Sequence, residues 1–222
     1  MNLPSSFLKA IRSRFKHLAL RLTPKSRRFH RIYRTFHWGA NSESLSGAGS
    51  TLAATQAIRK ELPDYLTVVK CQLLLDLGCG DFNWMRTLNL PCRYIGADIV
   101  DDLIEQNRRL YGDEERSFIV LDGTTDPFPA GIDVVLCREV LFHLSFKDAS
   151  DLLSNVKAST AEVFIVTNMT GVEENTDTFT GGFRPIDLCL PPFSFPEPDY
   201  TIPDQGVAKN RYLCAWNVRD LP

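Results

Sequence analysis

Leu73-Leu74-Leu75-Asp76-Leu77-Gly78-Cys79-Gly80-Asp81-Phe82-Asn83-Trp84-Met85 carries the reading of the whole chain. An apolar run ends in an acid, two glycines follow at Gly-x-Gly spacing, and a polar-started segment comes next. A continuous apolar run reads as a strand buried on both faces, the kind found inside a parallel sheet. Glycines directly after such a strand let the backbone turn tightly and approach a ligand. The stretch therefore predicts a pocket at the carboxyl end of a first strand.

Working outward, the pattern repeats. Residues 94–98 form a second apolar strand ending in Asp98, at the place where Rossmann-like folds set an acid on a ribose diol. Residues 117–122 form a third, ending in Asp122, and 132–137 a fourth. Residues 162–167 supply a fifth, and 211–218 alternate in places, predicting an antiparallel strand that closes the sheet edge. Helices are predicted over 51–65, with Pro63 near the break, over 101–110 with Asp101 or Asp102 at its start, and over 147–157. Between 168 and 206 regular pattern is lost; Phe179, Phe183, Phe193 and Phe195 punctuate a segment rich in Pro, Gly, Asn and Thr. Such a loop-rich insert at the strand carboxyl ends reads as a substrate wall.

The glycine turn separates two cofactor classes. A dinucleotide site uses G-x-G-x-x-G, whose third glycine lets helix and strand pack closely. Asn83 stands in that third place, which argues against a nicotinamide. A plain connecting turn, with the acids capping helices, would need a separate accident at each of three strands. The Asp76-x-Gly78-x-Gly80 form resembles the first motif of class I S-adenosylmethionine-dependent methyltransferases. The resemblance implies their α/β fold: a Rossmann-like, mostly parallel seven-stranded sheet with an antiparallel strand near the C-terminus and helices on both faces. It implies S-adenosyl-L-methionine as cofactor and S-adenosyl-L-homocysteine as product. The loop from Asp76 to Asp81, with Gly78, Cys79 and Gly80, would then receive the methionine end, Asp98 would bind the ribose hydroxyls, and Asp122 with Gly123 would lie beside the adenine; Trp84 and Ile99 also belong to the cofactor site. Arg138 is a further cofactor candidate.

Residues 38–50, 79–85 and 137–145 together look like a bacterial methyltransferase family also met as a domain in larger polysaccharide-modifying proteins. The resemblance runs from about residue 33 to the C-terminus and implies O-methylation of a glycan. That pattern usually has Asp where Glu139 stands, so the carboxylate here reaches one methylene further.

Methyl transfer needs an acceptor placed in line with the donor methyl, and positioning supplies much of the rate. A hydroxyl acceptor must also lose a proton to a base; an amine needs only to arrive neutral. Glu139 and His143 are four residues apart, so a helical turn would let the carboxylate orient the imidazole as that base. Equally, a histidine at an apolar helix start commonly bonds a backbone carbonyl for structural reasons. Alternatively Glu139 is the base itself or holds the cofactor's amino group, and Arg138 either meets an acidic substrate group or pairs with the body. For the acceptor, Trp38, Asn41, Ser42 and Ser46 form a polar loop beside an aromatic face that suits a sugar, joined by Asn175, Asp177 and Arg184 of the insert. Asp122, Asp177 and Asp187 are acids that a divalent metal could use, but without clustered spacing a metal-free mechanism is preferred. N-methylation of a small amine or amino sugar, and cofactor binding without turnover, are the alternatives.

Net charge of -2 hides an asymmetry. Residues 1–42 hold 10 of the 25 basic residues and no acid, leaving 15 basic against 27 acidic, or -12, for the rest. Phe7, Leu8, Ile11, Phe15, Leu18 and Leu22 recur at three- and four-residue steps among Lys and Arg. Residues 1–35 therefore read as a basic amphipathic helical arm, and 36–222 as one methyltransferase domain. The arm is expected either to meet anionic membrane through residues 4–34 or to lie on the domain as a lid. Nucleic acid is a poorer partner for so acidic a body. No bilayer-spanning run or secretory signal is seen, and the 6 cysteines include no C-x-x-C pair, so no zinc site is expected and a cytoplasmic setting, peripheral on the inner membrane face, follows.

Overall fold

In the computed structural model, which describes residues 23–35 and 43–222, the quoted stretch opens a seven-stranded sheet. Strand β1 (Leu73–Leu77) is buried from its second residue onward, as a central strand must be. The others are β2 (Arg93–Asp98), β3 (Arg116–Val120), β4 (Val134–Cys137), β5 (Val163–Met169), β6 (Tyr200–Pro203) and β7 (Arg211–Asn217). Their order is β3-β2-β1-β4-β5-β7-β6. The first five pair in parallel; β7 runs antiparallel to β5, and β6 to β7. This is the Rossmann-like methyltransferase sheet that the resemblance implied.

Alternation along β1 divides the core. Leu74 points to the face covered by α2 (Gln56–Val68), through Ile58, Leu62 and Leu66, and by Ile104 of α3 (Asp101–Tyr111). Leu75 and Leu77 point the other way, onto Leu152 and Val156 of α4 (Phe146–Ala158). Ser145 caps α4 by accepting a hydrogen bond from the Asp148 amide.

Two expectations need correction. The helix before β1 begins at Gln56 and runs through Pro63 to Val68 instead of breaking there. A mid-helix proline costs about 3 kcal/mol. Ile58, Leu62 and Leu66 are all fully buried against the sheet, and that burial outweighs the lost bond. The second correction concerns the sheet edge. β7 lies inside, and β6 takes the edge from within the segment that showed no pattern. β6 is four residues long and ends in Pro203, tolerable on an edge where an N–H needs no partner. Tyr200 stacks on Tyr65 of α2 at 4.5 Å, closing that corner.

The 168–206 insert is held by side-chain links to its own backbone. The Asn175 amide donates to the carbonyls of Asp187 (2.7 Å) and Pro191 (3.0 Å), and its oxygen accepts from the Asp187 amide (2.9 Å). Phe193 and Phe195 turn inward to join the core, Phe195 edge-on to Trp216 at 5.3 Å. All six cysteines are free thiols, four of them buried.

Part of the basic arm is visible as α1 (Lys25–Arg34), which buries Arg28 and Ile32 against the body. The apolar stripe expected over Phe7–Leu22, and Trp38, Asn41 and Ser42 of the expected acceptor loop, lie outside the described residues. Among the described residues no helix is long and apolar enough to cross a membrane.

Candidate functional site

A cavity of ≈ 330 Å³ opens where β1, β2 and β4 end, within the size range of small-molecule sites. Its floor is the Gly78–Gly80 turn. Gly78 and Gly80 both take positive φ (75° and 58°), which glycine adopts without strain. The amides of Gly78 and Cys79 bond the Ala97 carbonyl at 2.7 and 3.1 Å, strapping the turn across the end of β2. A Cβ on Gly78 would lie 2.5 Å from Val140 Cγ2, and one on Gly80 2.4 Å from Ser46 Oγ. Asp81 draws a second loop onto this turn by accepting from the Leu45 amide (2.7 Å) and the Ser44 hydroxyl (2.9 Å). Asn83 completes that seam by donating to Glu43 Oε1 and the Ser50 carbonyl, both at 3.0 Å. The position where a dinucleotide site wants glycine is thus filled by an amide that closes a loop.

The strand-ending acids converge here. Asp98 accepts from the Gly80 amide (3.2 Å) and the Val100 amide (3.0 Å), which leaves lone pairs on both oxygens for a diol. Burial pushes its carboxyl above the usual range. Asp122 caps its own turn through Thr124 and pairs with Lys25 at 3.2 Å. Asp76 is buried and accepts from the Tyr94 hydroxyl at 2.7 Å. Burial raises its pKa to about 7, with Tyr94 and Arg138 pulling the other way. The folded state therefore holds this proton more tightly than the unfolded chain, whose value is near 3.8. Stability from Asp76 should be full below about pH 4 and fall as pH rises through 7. Urea denaturation of the native chain and of Asp76→Asn between about pH 5 and 8 checks this. A difference curve that stays flat would show an ionised carboxylate instead.

Beyond the turn stands a buried ion cluster. Arg138 is bidentate to Asp204 (3.1 and 2.9 Å), donates to the Gly49 carbonyl (2.8 Å), and lies 5.5 Å over the Trp84 ring. Arg211 joins Asp204 from β7. Burial alone would lower the Arg138 pKa, yet Glu139 and Asp204 hold it above the ordinary arginine value. Arg138 lines the cavity as an anchored wall, already committed to the body.

The expected Glu139–His143 pairing does not form. Glu139 has φ 59°, donates its amide to Thr167 Oγ1, and carries no helical turn forward. Its carboxylate lies between Arg138 (3.0 Å) and Arg211 (2.7 Å), so it is clamped by two cations. Gly49 is pressed against it; a Cβ there would sit 2.2 Å from Glu139 Oε1. His143 instead ends a short 3₁₀ turn, Leu141–His143, and bonds the Gly182 carbonyl through Nδ1 at 2.6 Å. It still lines the cavity, with Phe183 at 5.9 Å between ring centroids.

The remaining expected residues divide. Gly78, Cys79, Gly80, Trp84, Asp98, Ile99, Asp122, Gly123 and Ser46 all line the cavity. Asn175, Asp177 and Arg184 do not: Asn175 staples the insert, Asp177 accepts from the Phe146 amide at 2.7 Å, and Arg184 lies 4.7 Å over the Phe146 ring. Asp122, Asp177 and Asp187 are likewise not brought together; Asp187 accepts from Asn168 and from the Cys189 amide. Lys25, Phe29 and Tyr33 of α1, with Val207 and Arg211, line the cavity unforeseen, and Phe183 lines it from the insert that was expected to form a wall. The four-residue spacing of Lys25, Phe29 and Tyr33 was the one sequence signal for the α1 wall.

Glycine positions that admit no side chain, a half-buried acid at the end of β2 and another just past β3 make a cradle that fits an adenosyl amino acid. Comparison with known proteins agrees. Residues 75–161 match a family model described as a methyltransferase domain. Among solved structures, the mitomycin 7-O-methyltransferase MmcR superposes with TM-score 0.56 at 14% identity, over 75% of this chain and 54% of that one. The methyltransferase domain of bacterial CtHen1 gives 0.52 at 13% identity, over 74% and 99%. PigF, with S-adenosylhomocysteine, gives 0.53 at 14%, over 73% and 55%. This chain thus spans about half the length of two of the three, and at such identities the likeness establishes the fold. A search of curated protein sequences gives no significant match.

Proposed function

We propose that this chain, a class I S-adenosylmethionine-dependent methyltransferase, methylates a hydroxyl of a sugar or glycan, with His143 as general base. The observation that carries the reading is the bond from His143 Nδ1 to the Gly182 carbonyl. A carbonyl only accepts, so Nδ1 carries a proton, and it is Nε2 that holds the lone pair whenever the ring is neutral. A base is what a hydroxyl acceptor requires and what a neutral amine does not. Phe183, 61% exposed at the cavity mouth, offers an apolar face beside that base for the C–H side of a sugar ring.

The rest of the site serves placement. The Gly78–Gly80 turn with Asp76 receives the amino-acid end of the cofactor, Asp98 accepts from the ribose hydroxyls, and Asp122 with Gly123 flanks the adenine. When bound, the cofactor supplies a methyl group on a sulfonium centre. Glu139, held between Arg138 and Arg211, shapes the wall.

The test is methyl-labelled donor incubated with the purified chain and matched sugar and amine acceptors. Label in an alkali-stable O-methyl ether on a sugar is the expected result. Label confined to amines, or cofactor binding with no transfer to any acceptor, would overturn the reading.

A further inference from the structure

Helix α1 stands over the cofactor end of the cavity without being part of the sheet. Lys25, Phe29 and Tyr33 recur every fourth residue, share one face, and line the cavity that also holds Asp98 and Asp122. Only Arg28 and Ile32 of its ten residues are buried. What holds its ends is a set of polar contacts to carboxylates at partly exposed positions. At one end Lys25 meets Asp122 (3.2 Å) and Asp148 (3.4 Å). At the other, His30 meets Asp101 (3.0 Å), and Arg34 meets Asp102 (2.6 Å). Elements held this way open at low free-energy cost, in contrast to paired core strands.

The buried side of α1 reaches the acceptor base. Arg28 donates to the Thr180 carbonyl, and Gly181 lies so close that a Cβ there would be 2.8 Å from Arg28 Cδ and 3.2 Å from Ile32 Cδ1. Gly181 then donates its amide to the His143 carbonyl at 2.7 Å, and Gly182 accepts from the His143 ring at 2.6 Å. Contact is continuous from the helix to the imidazole.

We propose that α1 is a gate: it moves aside for cofactor exchange and, on closing, sets the His143 turn through Arg28 and Gly181. The acceptor site is then complete only around an enclosed cofactor, which orders binding with cofactor first. Arg28 is a positioning residue in this scheme, acting through residues 180–182. The inference rests on the cofactor and base assignments made above.

Hydrogen exchange of the full chain with and without S-adenosylhomocysteine tests it, together with product release followed by stopped flow. Bound product should slow exchange of residues 25–34 and 180–184 together, by about tenfold or more, the signature of one opening unit. Asp101→Asn with Asp102→Asn, both exposed and outside the cavity, should speed release by about threefold or more through loss of the latch. Arg28→Ala should lower kcat while leaving the cofactor KM near native, with Arg28→Lys restoring part of it. Exchange in 25–34 indifferent to product, or native release from the double Asn variant, would make α1 a fixed wall and overturn the gate. Failure of the native chain to bind product in calorimetry would instead sink the cofactor assignment itself.

Discussion

Replacing His143 by alanine should cut methyl-transfer turnover by about a hundredfold, the lower range for loss of a general base, while S-adenosylhomocysteine affinity stays within about twofold. The ring lies in the cavity but is fixed from outside it, by the Gly182 carbonyl at 2.6 Å and the Gly181 amide on its own carbonyl. Removing it therefore takes away the proton acceptor and also loosens the insert. His143→Asn separates the two effects. Its amide nitrogen occupies the place of Nδ1 and can keep the bond to Gly182, but it provides no base. Turnover should stay low in His143→Asn; recovery there, or native turnover in the alanine variant, would mark His143 as structural. Steady-state kinetics with the labelled donor, beside calorimetric titration of product, reads both quantities.

The largest stability effect is expected at Arg138. Asp204 is fully buried, and Arg138 holds it with two charge-assisted bonds, at 3.1 and 2.9 Å. Burial pushes the Asp204 carboxyl up, and Arg138 and Arg211 pull against that shift. Arg138→Ala removes the bidentate partner, releases the Gly49 carbonyl, and leaves Glu139 and Asp204 facing one guanidinium. Breaking a buried pair from one side costs about 3–5 kcal/mol. Urea denaturation at neutral pH should show a loss of that size. Arg138→Lys keeps charge but not the planar fork, so it should recover only part. A loss under about 1 kcal/mol for Arg138→Ala would mean that water or Arg211 satisfies Asp204 alone.

The floor of the cavity and the acids around it were legible because their signals are local. Each of Asp76, Asp98 and Asp122 ends or follows a strand whose apolar run names it, and the glycine turn needs only the conformational freedom of Gly78 and Gly80. Proximity among them follows from parallel pairing, which sets the carboxyl ends of β1, β2 and β3 side by side. The acceptor half was less legible, since its contacts span long sequence distances. Glu139 and His143 are four apart and read as one helical face; the left-handed residue at Glu139 breaks that face. The clamp on Glu139 comes from Arg211, on the last strand. Asn175, Asp177 and Arg184 carry polar groups of the right kind, but these are consumed in holding a long loop together.

Charge read along the chain was similarly double-edged. The acid-free run at the N-terminus marks a distinct segment, and α1 does show Arg27, Arg31 and Arg34 on its exposed side. Composition could not show that the same helix turns Lys25, Phe29 and Tyr33 into the cofactor cavity.

By itself the sequence determined the parallel core, the turn that forms the pocket floor and the three acids around it. Those depend on backbone freedom and on burial patterns only a few residues long. Tertiary structure decided which strand takes the sheet edge, which partners Arg138 and Glu139 keep, and which carbonyl pins His143. These are competitions among polar groups far apart in the chain, settled by burial: a buried charge or donor takes whatever partner the fold brings within reach.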